Sequence, residues 1–199
     1  MIRLFLSMLT FFVLVGCSTT VPYISKFIIK SNLQNREFDS KKCKDISLKV
    51  AHAFSPNVLK TLNMNYVVGA DKEYTYTQSQ WADSPNNLIT EELIEMLRDS
   101  GLFKSVQSSK SRSDSELLLE TNIEDFMQYF SVDENSSYSN IAITLTLIDT
   151  KSNRIVSSKH FKNRVVASSA DANGGVNALN EALVNVLLEV RKYMAGVCK

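Results

Sequence analysis

The chain is short of the residues that most chemistry needs. Its 199 residues include two histidines and three cysteines. That leaves little material for a metal cluster, and neither His52 nor His160 stands at a metal-ligand spacing. Glycine is scarce, and Gly174-Gly175 reads as a helix entrance, not as a phosphate loop. No serine sits in a Gly-x-Ser-x-Gly setting. Glu91, Glu92 and Glu95 have the spacing of helix-surface charges, and Asp125 and Asp133-Glu134 lie near a turn without a second partner. A non-catalytic protein without a cofactor is therefore expected. An excess of one charge is lacking too: 22 Lys and Arg face 21 Asp and Glu, a net charge of +1. A nucleic-acid binder would need a basic face. With 44% hydrophobic and 22% charged residues, global disorder is also excluded.

A long apolar run is the last absence. The stretch Leu4 to Val15, behind Arg3, falls short of the roughly 20 residues that span a bilayer core. A positive start, a short apolar run and a small residue before Cys17 make the layout of a secretory signal. Leu14-Val15-Gly16-Cys17 resembles the bacterial lipobox. That resemblance implies cleavage after Gly16 and acyl chains on Cys17, with Ser18 behind it favouring the periplasmic face of the outer membrane. Acyl chains contribute about 0.8 kcal/mol per buried CH₂, so several on one cysteine anchor firmly. Loss of Arg3 with the signal would leave the mature side chains balanced in charge.

Lipidation of Cys17 leaves Cys43 and Cys198, an even number in an oxidising compartment. One disulfide is the expectation, two unrelated thiols the alternative. The bridge would close a loop long enough to contribute up to about 4–5 kcal/mol in the chain-entropy model.

Residues 1–16 are thus read as signal, 17–45 as a lipidated polar tether and 46–199 as one α+β domain. Within the tether only Tyr23 to Ile29 has the look of a short strand. Ile46 to Ala51 alternates apolar with polar, Tyr66-Val67-Val68 is a short apolar run, and Glu73 to Thr77 alternates again. Ser84 suits a helix N-cap and Pro85 the first helical position. Leu88, Ile89, Leu93, Met96 and Leu97 form an apolar stripe that Ser100-Gly101 ends. Lys104 to Gln107 reads as a brief strand. Glu116 to Phe130 reads as a long one, with Leu118 and Ile123 disturbing the phase of Leu117, Leu119 and Thr121. Ile141 to Leu147 and Ile155 to Ala167 pair across a turn at Asp149 to Asn153. A second apolar stripe runs from Val176 to Val190. The expected fold is a largely antiparallel sheet of about four to five strands, with two long amphipathic helices on one face.

Two surface features stand out. Asn135-Ser136-Ser137 fits a glycosylation acceptor, and Asp133 matches the extended acidic form, although a solvated turn explains Asn135 as simply. Tyr74, Tyr76 and Trp81 gather aromatic surface just before the first helix, where core packing is the competing explanation.

The order of these features carries a resemblance. A lipobox precedes a polar segment and a strand. Tyr66-Val67-Val68 and Trp81-Ala82-Asp83-Ser84-Pro85 then lead into a helix ending near Gly101-Leu102-Phe103, and a meander and terminal helix follow. Over most of residues 46–195 this resembles the ABC-type transport auxiliary lipoprotein family, except that Gln80 stands where the family usually has Arg before the Trp. The resemblance implies an accessory to MCE-type systems moving phospholipids between inner and outer membranes. An MCE-type substrate-binding protein would be its direct partner, with permease and ATPase as separate chains. Tyr74, Tyr76 and Trp81 would be the contact patch for partner or lipid. A homo-oligomer is compatible with this reading. The rival is an LPS-assembly lipoprotein supporting an outer-membrane barrel, and an envelope hydrolase is a weaker third.

Overall fold

A computed structural model describes residues 23–31, 33 and 43–198. In chain order the elements are β1 (Ser25–Phe27), β2 (Ser47–Val50), β3 (Asn63–Val68), β4 (Lys72–Trp81), α1 (Pro85–Asp99), β5 (Ser105–Ser108), β6 (Leu117–Phe130), β7 (Ser137–Asp149), β8 (Arg154–Val166) and α2 (Ala172–Val197). The class is α+β, as the patterning implies, but the sheet is mixed and has eight strands.

β6 organises the sheet. One of its edges pairs antiparallel with β7 along almost its whole length. The other edge is shared end to end: Leu117 to Leu119 pair with β2, Phe54 bridges to Asn122, and Gln128 to Phe130 pair with β3. Those contacts are parallel, as are β1 with β4 and β2 with β5. The expectation of four to five largely antiparallel strands therefore holds only for β3–β4 and the β6–β7–β8 meander. The added strands are three or four residues long. The alternation of Ile46 to Ala51 marks β2, but the parallel partners of all three are set by contacts distant in sequence.

Ile123 keeps the phase of Leu117, Leu119 and Thr121. The disturbance lies between Ile123 and Asp125, where a bulge shifts the register, so Phe126, Gln128 and Phe130 resume the inward positions. Inward residues of β6 and β7, among them Leu119, Ile123, Ile141 and Ile143, share one core with both helices. The α1 stripe of Leu88, Ile89, Leu93, Met96 and Leu97 is wholly buried, each side chain contributing about 1.5–3 kcal/mol. At the α1 entrance Ser84 occupies the cap position, but its side chain makes no capping bond. Asp83 does the polar work: its Oδ1 accepts from the Ser84 N–H at 2.6 Å and from the Asn87 amide at 2.9 Å. The Asn87 bond, followed by those of Ser84, holds the Asp83 carboxyl below the usual range.

α2 starts four residues earlier than its apolar stripe suggests. Asp171 caps it, accepting from the Gly174 N–H at 2.8 Å. Both glycines are needed for close approach. A Cβ on Gly174 would lie 2.2 Å from the Ser169 carbonyl oxygen, and one on Gly175 only 1.9 Å from Gln128 Oε1.

The stretch expected as tether is partly built into the domain. β1 pairs with β4, Ile29 is buried, the Ser31 N–H and hydroxyl both donate to Glu92, and the Lys30 N–H donates to Asn180 Oδ1. Cys43 is bonded to Cys198, Cα atoms 5.3 Å apart, across 155 positions of sequence. Cys17, Arg3 and the lipobox lie outside the described residues.

The registers give the molecule two ends. At one, the β3–β4 turn, the β6–β7 turn, the end of β8 and the start of α2 come together, and β1 points its N-terminus the same way. At the other lie the β7–β8 turn, the start of β2 and the disulfide.

Candidate functional site

The first of these ends carries the aromatic surface. Gly69, at φ 68°, makes the turn that sets β3 against β4 and places Tyr66 opposite Tyr74. Tyr66 is the centre of the cluster. Its ring centroid lies 4.5 Å from Tyr76, 5.6 Å from Tyr74 in a stacked arrangement, and 5.2 Å from Phe130 edge-on. Tyr74 is 47% exposed, Tyr66 and Tyr76 are half-buried, and Phe130 closes the floor.

Tyr76 ties this surface to the core. Its hydroxyl donates to Gln128 Oε1 at 2.9 Å, and the Gln128 amide donates to Ser137 Oγ at 2.9 Å and to the Asp171 carbonyl at 3.0 Å. Burial, with Tyr66 and Asp171 adding to it, pushes the Tyr76 hydroxyl well above its ordinary value. Burial raises Tyr66 as well. Both hydroxyls stay protonated at physiological pH. The cluster is therefore an amphipathic surface of apolar ring faces, with the Tyr76 hydroxyl fixed from below by Gln128.

The structure separates Trp81 from the two tyrosines. Trp81 is 4% exposed and packs on Phe126, centroids 5.7 Å apart. The pairing of β3 with β4 shifts register between Asn63 and Asn65, so Trp81 belongs to a different phase of β4 than Tyr74 and Tyr76. Its place is core packing. Tyr66 takes its place in the surface cluster. The signal for Tyr66 was the glycine after Val68, because a tight turn there sets Tyr66 across from Tyr74.

Other expected sites fall as follows. Asn135 is exposed on the β6–β7 turn and donates its amide to Asp133 Oδ2 at 3.0 Å, the arrangement of a solvated turn. His52 meets the Asn86 amide at 2.8 Å and His160 meets Glu124 at 3.1 Å. Among the described residues no group of three or more His, Cys, Asp or Glu could hold a metal ion, and no helix is long and apolar enough to cross a membrane.

On the outer face of the sheet a second polar group surrounds Asp125. Tyr129 donates to it at 2.7 Å and the Asn140 amide at 2.6 Å. The Tyr129 ring stacks on Tyr138, and Arg164 lies 3.3 Å above the Tyr138 ring centroid. Burial pushes the Asp125 carboxyl up, against the opposing effect of those two hydrogen bonds.

Residues 32–190 match the family model of the ABC-type transport auxiliary lipoprotein component. The chain belongs to this family. Protein XCC0632 from Xanthomonas campestris is similar in fold, with a TM-score of 0.70 at 16% identity over 88% of this chain and 94% of its own. A second solved structure, of an uncharacterized protein, gives a TM-score of 0.64 at 12% identity over 86% of this chain and 98% of its own. No curated protein matches the chain. The matched span of this lipoprotein-family member takes in both helices' apolar stripes and the whole tyrosine cluster.

Proposed function

We propose that this protein is a non-catalytic lipoprotein, anchored through Cys17 to the periplasmic face of the outer membrane. It serves an ABC transporter of the MCE type that moves phospholipids between the two membranes. The observation that carries this reading is family membership over residues 32–190. The sequence adds a lipobox in the right place. The domain adds an aromatic surface fixed from below by Gln128, suited to contact rather than to bond-breaking. The tyrosine end, with Tyr74 and Tyr76 but without the buried Trp81, is a contact face for partner or lipid. The MCE-type substrate-binding protein is its partner, and permease and ATPase are reached through it.

A genetic comparison tests the role. Cells lacking this chain, cells lacking the MCE partner and cells lacking both should show the same envelope-lipid defect. Additive defects would place the protein in another process.

A further inference from the structure

The registers fix the side from which the chain enters β1 relative to the tyrosine cluster. β1 runs parallel to β4 with Ser25 opposite Ser79. Tyr76 and Tyr74 precede Ser79 on β4, so they lie on the side from which the chain arrives at Ser25. Extended backbone rises about 3.3 Å per residue, and β3, which runs without the β4 irregularity from Asn63 opposite Gln80 to Val68 opposite Lys72, puts the β3–β4 turn about 15–20 Å beyond the level of Ser25. The stretch from Cys17 to Ser25 spans at most about 26–29 Å even fully extended. The long polar tether read from the sequence is thus a short leash, and the turn-bearing end lies on the side where it attaches.

That same end carries exposed apolar surface from three separate segments. Val132 is 84% exposed and Val166 74%, alongside the half-exposed Tyr74, while Tyr23, 85% exposed, lies on the incoming chain just ahead of β1. Val132 sits on the β6–β7 turn, where it would lie 3.4 Å from a Cβ placed on Gly69 of the β3–β4 turn. Val166 ends β8, paired with Tyr138. Large apolar side chains held out at one end, with tyrosines among them, match what a membrane interface accepts: rings at headgroup level, hydroxyls toward water. The charges there point to one kind of surface. Asp71, Glu73, Asp133 and Glu134 outnumber Lys72 and Arg164, so anionic headgroups would be repelled and zwitterionic ones would not.

We infer that the end bearing Tyr74, Val132 and Val166 rests on the zwitterionic lipid surface to which the chain is anchored. This holds the long axis of β6 upright and leaves the disulfide end facing away from the membrane. The inference rests on the lipoprotein reading and deepens it: the lipid bilayer is the first occupant of the contact face.

Quenching by brominated lipid tests it. Full-length, membrane-extracted protein carrying V132W or S152W is reconstituted into phosphatidylethanolamine–phosphatidylcholine vesicles, and each is compared with the parent. Trp81, buried in the core, supplies a constant background. Lipid brominated near the headgroup should quench the V132W signal at least threefold more than that of S152W, which lies on the turn at the far end. Equal quenching of the two, or quenching of S152W alone, would overturn the orientation. A mass measurement on the same samples separates the causes. Acylated Cys17 without V132W quenching refutes the orientation only, whereas an unmodified Cys17 refutes the anchor and the orientation together.

Discussion

Tyr76 and Gln128 are joined by a 2.9 Å hydrogen bond from the tyrosine hydroxyl to the amide oxygen, 52 positions apart in sequence. Gln128 is buried and is held at the same time by Ser137 and by the backbone of Asp171. One side chain thus couples the exposed tyrosine surface to the start of α2. Y76F removes the donor and leaves Gln128 Oε1 without that bond, at a cost of about 1–3 kcal/mol. G175A drives a methyl group into the same oxygen and should cost about 1–3 kcal/mol by overpacking. Both values are read from urea unfolding. If the two variants act through Gln128, their double variant should destabilise by less than the sum.

The Cys43–Cys198 bridge ties α2's end to the approach of β2. Replacing both cysteines with serine should lower unfolding free energy by about 2–4 kcal/mol while leaving the fold intact, because the two cysteines are a small part of a core built mostly by the helix stripes and the inward residues of the sheet. Circular dichroism before and after thermal unfolding checks both halves of that statement. A mass two hydrogens below the reduced form confirms the bond in purified protein.

Glu116 and Asp125 should answer to pH with opposite sign. The Ser47 hydroxyl and N–H donate to Glu116, and these bonds hold its carboxyl down to about 2, against an ordinary value of 4.5. A depressed carboxyl contributes stability above its ordinary value. That contribution is lost as pH falls from about 4.5 toward 2. E116Q should therefore be less stable than the parent near neutrality, and the gap should close on acidification.

Asp125 is the reverse case. Its carboxyl is raised by burial, with Tyr129, Asn140 and Lys162 facing it. Such a group favours the folded state when protonated, and that contribution fades as pH rises through its folded value. The melting temperature of D125N relative to the parent should therefore climb between acid and neutral pH. A flat difference for either variant would contradict the corresponding assignment.

C17A should release the protein from membranes into the soluble envelope fraction, read by fractionation and immunoblotting. Persistent attachment would show that the lipid on Cys17 is not the anchor.

Much of this architecture could be read from periodicity, and the failures have physical causes. The α1 stripe, the Asp149–Asn153 turn and the long meander strands carry strong local patterns, and all are present. β2 was legible in the alternation of Ile46 to Ala51, but the parallel pairings of β1, β2 and β5 depend on contacts distant in sequence and were not. The start of α2 was hidden because Gly174 and Gly175 look like a break, although they serve close packing against Ser169 and Gln128. At the candidate surface, Tyr74 and Tyr76 were legible as an alternating pair. Tyr66 was not, because its membership depends on the register that Gly69 sets. Trp81 was misplaced for the same kind of reason: a register shift, unseen in sequence, turns it into the core.

Affinity isolation of the full-length lipoprotein from mildly solubilised native envelopes tests the central claim most directly. The account predicts recovery of an MCE-type protein together with the permease and ATPase of one transporter. Recovery of an outer-membrane barrel of the LPS-assembly kind, with no transporter component, would contradict it.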